Sequence, residues 1–173
     1  MGKFSKYKVE LASLAEGNYT LEFVCDTEFF KNMEKPEILN SDVKVTLDLK
    51  HKGDIYDCTF TCKGLLSIPC DRCLDPMEHE VDTQYHLQVR YGDDYEDESD
   101  ELLVIPYSDT NLNVAYMLAD TILLTIPLRH VHALGKCNRA MAAVLNRHSS
   151  SDEEDTNDLD SIDMNEIAEE DTE

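Results

Sequence analysis

No stretch of this 173-residue chain is apolar for long enough to cross a bilayer. The most apolar one, Ile122 to Leu128, is far short of the roughly 20 residues a spanning helix needs. Met1 to Gly17 is mixed polar and lacks the continuous apolar core of a secretory signal. Lys6 stands where a myristoylation pattern requires Ser or Thr. A cytoplasmic protein with no membrane association is the expectation. Catalytic signatures are missing too: there is no Gly-rich phosphate loop, no H-E-x-x-H and no Ser-His-Asp order. Neither an enzyme nor a small-molecule substrate is expected.

Bases are scarce, with 15 Lys and Arg against 37 Asp and Glu. The excess is concentrated. Ser149 to Glu173 holds twelve acids and no Lys or Arg, and Asp93 to Glu101 holds seven more. Without these two segments the acids number 18, close to the 15 bases. The chain therefore reads as a nearly neutral globular domain over residues 1–148, followed by a disordered acidic tail over 149–173. Asp93 to Glu101 reads as a solvated loop, with no spacing that resembles a calcium loop. No internal repeat is present.

Hydrophobic alternation carries most of the domain. Tyr7 to Leu11 reads as a short strand and Glu16-Gly17-Asn18 as a turn. Tyr19, Leu21, Phe23 and Cys25 share one face of a strand, after which Asp26 can cap a short helical turn. Val43 to Leu49, Tyr56 to Cys62 and Val81 to Tyr91 alternate in the same way, as antiparallel strands with one wet face. Helical spacing replaces alternation at Ala115, Leu118, Ala119, Ile122, Leu123 and Ile126, with Asn113 as the cap and Pro127 ending the helix at Ile126. Asn138 to Asn146 can form one more short helix. The fold class is α+β: an antiparallel, partly barrel-like sheet followed by a C-terminal helix and a pair of zinc knuckles.

Six cysteines in a cytoplasmic chain are thiols or metal ligands rather than disulfides. Cys58 and Cys62 lie on one strand, roughly 13 Å apart at about 3.3 Å per residue, too far for one zinc with Zn–S near 2.3 Å. With Cys25 they read as small core residues. Cys70-Asp71-Arg72-Cys73 differs, because two thiols separated by two residues in a tight turn can converge on one ion. His132 and Cys137 would complete a Cys3His set. With four protein ligands, such a set holds zinc structurally and keeps no open position. By spacing alone His130 competes with His132. Cys70 and Cys73 also admit a thioredoxin-type redox reading, against which Pro76 and the antiparallel flanks weigh, and a reading as two unliganded thiols.

From Thr121 to Ser151 there is no Asp or Glu, but there are Arg129, Lys136, Arg139 and Arg147. Closure of the metal site would bring Arg72 into the same neighbourhood. Such a basic patch is the electrostatic footprint of a phosphate backbone. Its alternative role is to balance nearby acids, the chain's own tail among them.

Together, Cys70-Asp71-Arg72-Cys73-Leu74 after Gly64, the aliphatic helix running into Pro127-Leu128, and then His132 and Cys137-Asn138 resemble the YceD-like family of large ribosomal RNA subunit accumulation proteins. The order of elements agrees from about Tyr7 to Asn146 and leaves the acidic tail outside. The Gly-Lys-Cys-Asn ending resembles members from the Bacteroidetes. The resemblance implies a non-enzymatic role in the synthesis, processing or stability of large-subunit ribosomal RNA. It implies that RNA or a large-subunit ribosomal protein as partner, and it favours His132 over His130 as ligand. Two rivals stand beside it: an acidic chaperone for a basic ribosomal protein without RNA contact, and a thiol enzyme using Cys70 and Cys73.

Overall fold

A computed structural model describes residues 2–99, 101–133 and 135–149. Residues 150–173, most of the expected acidic tail, lie outside the described residues. Two 3-10 turns flank β1 (Lys8–Val9), which is shorter than the strand expected over Tyr7 to Leu11. There follow β2 (Gly17–Asp26), α1 (Thr27–Asn32), β3 (Asn40–Lys52), β4 (Ile55–Pro69), β5 (Pro76–Gly92), β6 (Glu96–Ser99), β7 (Leu102–Pro106), β8 (Leu112–Asn113), α2 (Ala115–Leu123) and α3 (Arg139–Ser149).

The main sheet has the order β2-β3-β4-β5-β7-β6, and β1 pairs with β8 separately. The barrel expectation is corrected: the sheet is open, with β2 and β6 as its edges. One pairing is parallel, β5 with β7. After Gly92 the chain overshoots to the outer position of β6, turns back, and inserts β7 into the gap. The acidic stretch expected as a loop therefore contains an edge strand.

Alternation sets the faces. Val43, Val45, Leu47 and Leu49 of β3 are buried, as are Tyr56, Cys58, Phe60 and Cys62 of β4. They pack with Phe29 and Phe30 of α1 and with Leu118 and Ile122 of α2. Each fully buried side chain of this size contributes about 1.5–3 kcal/mol. Cys25, Cys58 and Cys62 lie inside this core. Burial raises all three thiols, Cys58 to about 12 and Cys62 to about 11. Gly64 lets β3 and β4 approach, since a Cβ there would sit 2.1 Å from the Asp42 carbonyl oxygen.

Asp26 caps α1 by accepting the Phe29 N–H at 2.8 Å, an interaction worth about 1 kcal/mol. At α2 the cap position is Val114 rather than Asn113. Asn113 belongs to β8 and accepts the Ala115 N–H through its side chain at 3.1 Å. The helix ends at Leu123, three residues before Ile126. The chain then tightens into bonds from Thr125 N–H to Ile122 and from Ile126 N–H to Leu123. Thr125 also donates its hydroxyl to the Ile122 carbonyl at 2.7 Å and meets His79 of β5 at 3.1 Å. No helix among the described residues is long and apolar enough to cross a membrane.

Candidate metal centre

The turn between β4 and β5 is closed by two backbone bonds, Cys70 N–H to Asp75 and Leu74 N–H to Cys70, each 2.9 Å. Leu74 takes φ 63° to complete it, an uncommon value for a branched side chain. The turn aims Cys70 and Cys73 at one point, with their residues 0% and 2% exposed. The Arg72 and His132 amides point at Cys70 Sγ from 3.4 and 3.5 Å.

The second half arrives on the segment after α2. Asp71 fixes it in two directions: its amide donates to the His130 carbonyl at 2.9 Å, and its carboxylate accepts the His130 N–H at 2.7 Å. The His130 ring turns to Asp71, with Nε2 3.3 Å from Oδ1. His132 Nδ1 instead lies 3.4 Å from Cys73 Sγ. Gly135, at φ 81°, permits the turn that Lys136 N–H closes onto Ala133, and Cys137 follows. The ligand atoms of Cys70, Cys73, His132 and Cys137 all lie within 4.8 Å of one another.

This set fits a tetrahedral metal. Zn–S near 2.3 Å and Zn–N near 2.0–2.1 Å give edges of roughly 3.5–3.8 Å, within a small adjustment of the observed cluster. His132 Nε2 lies 3.3 Å from the Pro76 carbonyl. That contact holds the ring with Nδ1 free to ligate and Nε2–H donating outward, the orienting bond that metal-bound imidazoles make. The neighbouring groups shift the proton affinities in the directions expected of a site that gathers negative charge. Burial pushes the Cys70 thiol up, but hydrogen bonds from the Cys73, His132 and Arg72 backbones outweigh it and bring it down to about 6. Hydrogen bonds to Cys73 and then Cys70 raise His132, while burial and the neighbouring sulfurs raise Cys137.

Arg72 is exposed inside the knuckle, and Arg129 is exposed beside His130. Lys136 and Arg139 are exposed on either side of Cys137. Four of the five proposed RNA contacts thus sit within two residues of the cluster or of its Asp71–His130 brace. Arg147 is exposed farther along α3, and it is engaged by a neighbour. The Asp71–His130 brace and the His79–Thr125 contact were not read from the sequence. Only the position of Asp71 inside the C-x-x-C hinted at the first.

Residues 58–171 match the family described as large ribosomal RNA subunit accumulation protein YceD. The matched span begins in β4 rather than near Tyr7, and it runs into the acidic segment that the sequence resemblance had left outside. No curated protein and no solved structure gives a significant match. The family's description is of ribosomal RNA accumulation rather than of an enzymatic activity. The match includes all four members of the Cys/His cluster and about two thirds of the chain, and the protein belongs to the YceD family.

Proposed function

We propose that this protein is a non-enzymatic ribosome-biogenesis factor that supports the synthesis, processing or stability of large-subunit ribosomal RNA. Cys70, Cys73, His132 and Cys137 hold one structural zinc. The observation that carries this reading is the convergence of four ligand atoms within 4.8 Å, in a chain of a family described by ribosomal RNA accumulation. A four-ligand site keeps no position for substrate, so its work is mechanical. It fixes the segment after α2 on the end of β4 and β5, and with it the cations Arg72, Arg129, Lys136 and Arg139.

Those cations are placed to meet phosphates of the RNA, with affinity that falls steeply as salt rises. Both cluster thiols of the knuckle are shielded from solvent, which argues against thiol chemistry on a substrate. Depletion of the protein in its own cells, with quantification of the two ribosomal RNAs, tests the reading. The expected result is a deficit or misprocessing of the large-subunit RNA relative to the small. Complementation by Arg72→Glu/Arg129→Glu/Arg139→Glu should fail if the cations contact phosphate. Full rescue by that variant removes the phosphate contact and leaves the assembly role.

A further inference from the structure

At the far end of the sheet a row of aromatic rings lines up across three strands. His51 of β3 stacks on Tyr56 of β4, with centroids 4.1 Å apart and planes 14° apart. Tyr56 meets the edge of Tyr91 of β5 at 5.9 Å, and Tyr91 stacks on Tyr107, just past β7, at 5.8 Å and 15°. The strand register accounts for the row, since His51 pairs with Tyr56 across the β3–β4 hairpin and Gly92 pairs with Pro106 next to Tyr107. Tyr107 is 72% exposed although nothing in its sequence context requires an aromatic there. Tyr56, Tyr91 and Tyr107 line one open cleft of about 710 Å³.

The remaining wall mixes apolar residues, Ile55 and Val104 among them, with a mostly acidic set of charges. Asp54, Asp93 and Asp94 contribute to it, and the one cation, Arg90, is already partnered. The acidic run continues along the chain to Glu101. The Tyr91 hydroxyl is turned away from solvent and has no hydrogen-bond partner among the described residues, so this ring offers the cleft its carbon surface.

We infer that this cleft binds an arginine-rich extended segment of a partner protein. A guanidinium stacks on tyrosine faces and pairs with carboxylates in one geometry, which a lysine ammonium does less well. Three carboxylates repel a phosphate backbone, so single-stranded RNA stacking on the same rings is disfavoured. The site lies at the opposite end of β4 and β5 from the Cys/His cluster, so it is separate from the metal and from the proposed phosphate contacts. Peptide binding can fail while the ribosomal RNA phenotype stands, and the reverse, so the two readings are separately testable.

The experiment is fluorescence anisotropy of a labelled peptide of alternating Arg and Ser against the full-length protein, with and without Tyr107→Ala. That substitution leaves every charge in place, the acidic C-terminal segment included, and removes an exposed ring. The expected result is a three- to tenfold weaker affinity, about what loss of a cation–π contact produces, with a melting temperature lowered only slightly by the lost stacking on Tyr91. Asp54→Asn/Asp93→Asn/Asp94→Asn should weaken binding further and flatten its salt dependence. The Lys-for-Arg peptide should bind less well than the Arg peptide. Equal binding by wild type and Tyr107→Ala would overturn the proposal, because the peptide would then be held by net charge elsewhere. Tyr107-dependent binding of a single-stranded RNA oligonucleotide in place of the peptide would overturn it too.

Discussion

The two ends of β4 and β5 are built from the same alternating strands but are ordered by different means. β4 runs from Ile55 to Pro69, so the ends lie roughly 45 Å apart at about 3.3 Å per residue. At the hairpin end, stacked rings hold the loops: His51, Tyr56, Tyr91 and Tyr107 each touch the next. At the knuckle end the segment after α2 buries little apolar surface beyond Ile126, with Leu124 84% and Leu128 wholly exposed, and Leu74 of the turn is 65% exposed. Beyond Ile126 and the His79–Thr125 contact, the Asp71–His130 brace ties this segment down, and the proposed metal site would add to it. Charge differs in balance too: Asp54, Asp93 and Asp94 outnumber Arg90 beside the rings, while Arg72, Arg129, Lys136 and Arg139 outnumber Asp71 and Asp75 beside the sulfurs. The two proposed partners, a phosphate backbone and an arginine-rich segment, differ in charge accordingly.

The largest effect should come from removing the cluster. Cys70→Ser/Cys73→Ser deletes two of four ligands, and structural sites contribute directly to folding. A loss of about 3–5 kcal/mol is expected, read by thermal denaturation, with a chelator reproducing it on the wild type. Limited proteolysis should cut first between residues 124 and 149 while β2 to β5 stay intact. If the rings at the hairpin end loosened equally, the ends would not be independent.

Asp71→Ala should cost less, about 1–2 kcal/mol, because it removes the acceptor for the His130 amide and the contact with its ring. Its effect should add to that of Tyr107→Ala, since the two sites share no partner.

The strands between the ends carry their own signature. The ordinary thiol value is 9.0, and Cys58 and Cys62 are held near 12 and 11 by burial. Above about pH 9 the unfolded chain has released these protons and the native one has not. The native state then binds more protons, so stability falls as pH rises through that window. Denaturant titration from pH 8 to 11 checks the sign, and Cys62→Ala should flatten the slope. Below pH 9 these thiols should not react with a maleimide in the folded protein.

The smallest effect belongs to Leu74. Its positive φ is strained for a branched side chain, so Leu74→Gly should stabilise the knuckle by up to about 1 kcal/mol, less what glycine costs in the unfolded chain. A decrease in stability would mean that the exposed leucine makes contacts the fold needs.

The alternating strands were legible in the sequence because one face is buried and the other wet, which places Val43 to Leu49 and Val81 to Tyr91 without ambiguity. Cys70 and Cys73 were legible as half of a ligand set because their spacing is local; spacing left His130 and His132 level, and the family resemblance favoured His132. What was hidden depends on long-range placement. Leu102 to Ile105 is a continuous apolar run with no alternation, so its burial between β5 and β6 and its parallel pairing left no periodic trace. The open sheet was hidden for the same reason, since alternation is identical in barrels and open sheets. The end of α2 was misplaced because Pro127 marks where a helix must have stopped, while the tightening at Thr125 and Ile126 stops it earlier. The tyrosine row was invisible because Tyr56, Tyr91 and Tyr107 meet only through register.

The central claim is that a metal held by Cys70, Cys73, His132 and Cys137 does at the knuckle end what stacked rings do at the other. Elemental analysis of natively purified full-length protein tests it most directly. One zinc per chain is expected, lost in Cys73→Ser and retained in Cys62→Ala. Protein that is folded, with an intact knuckle segment, and carries no stoichiometric metal would contradict it.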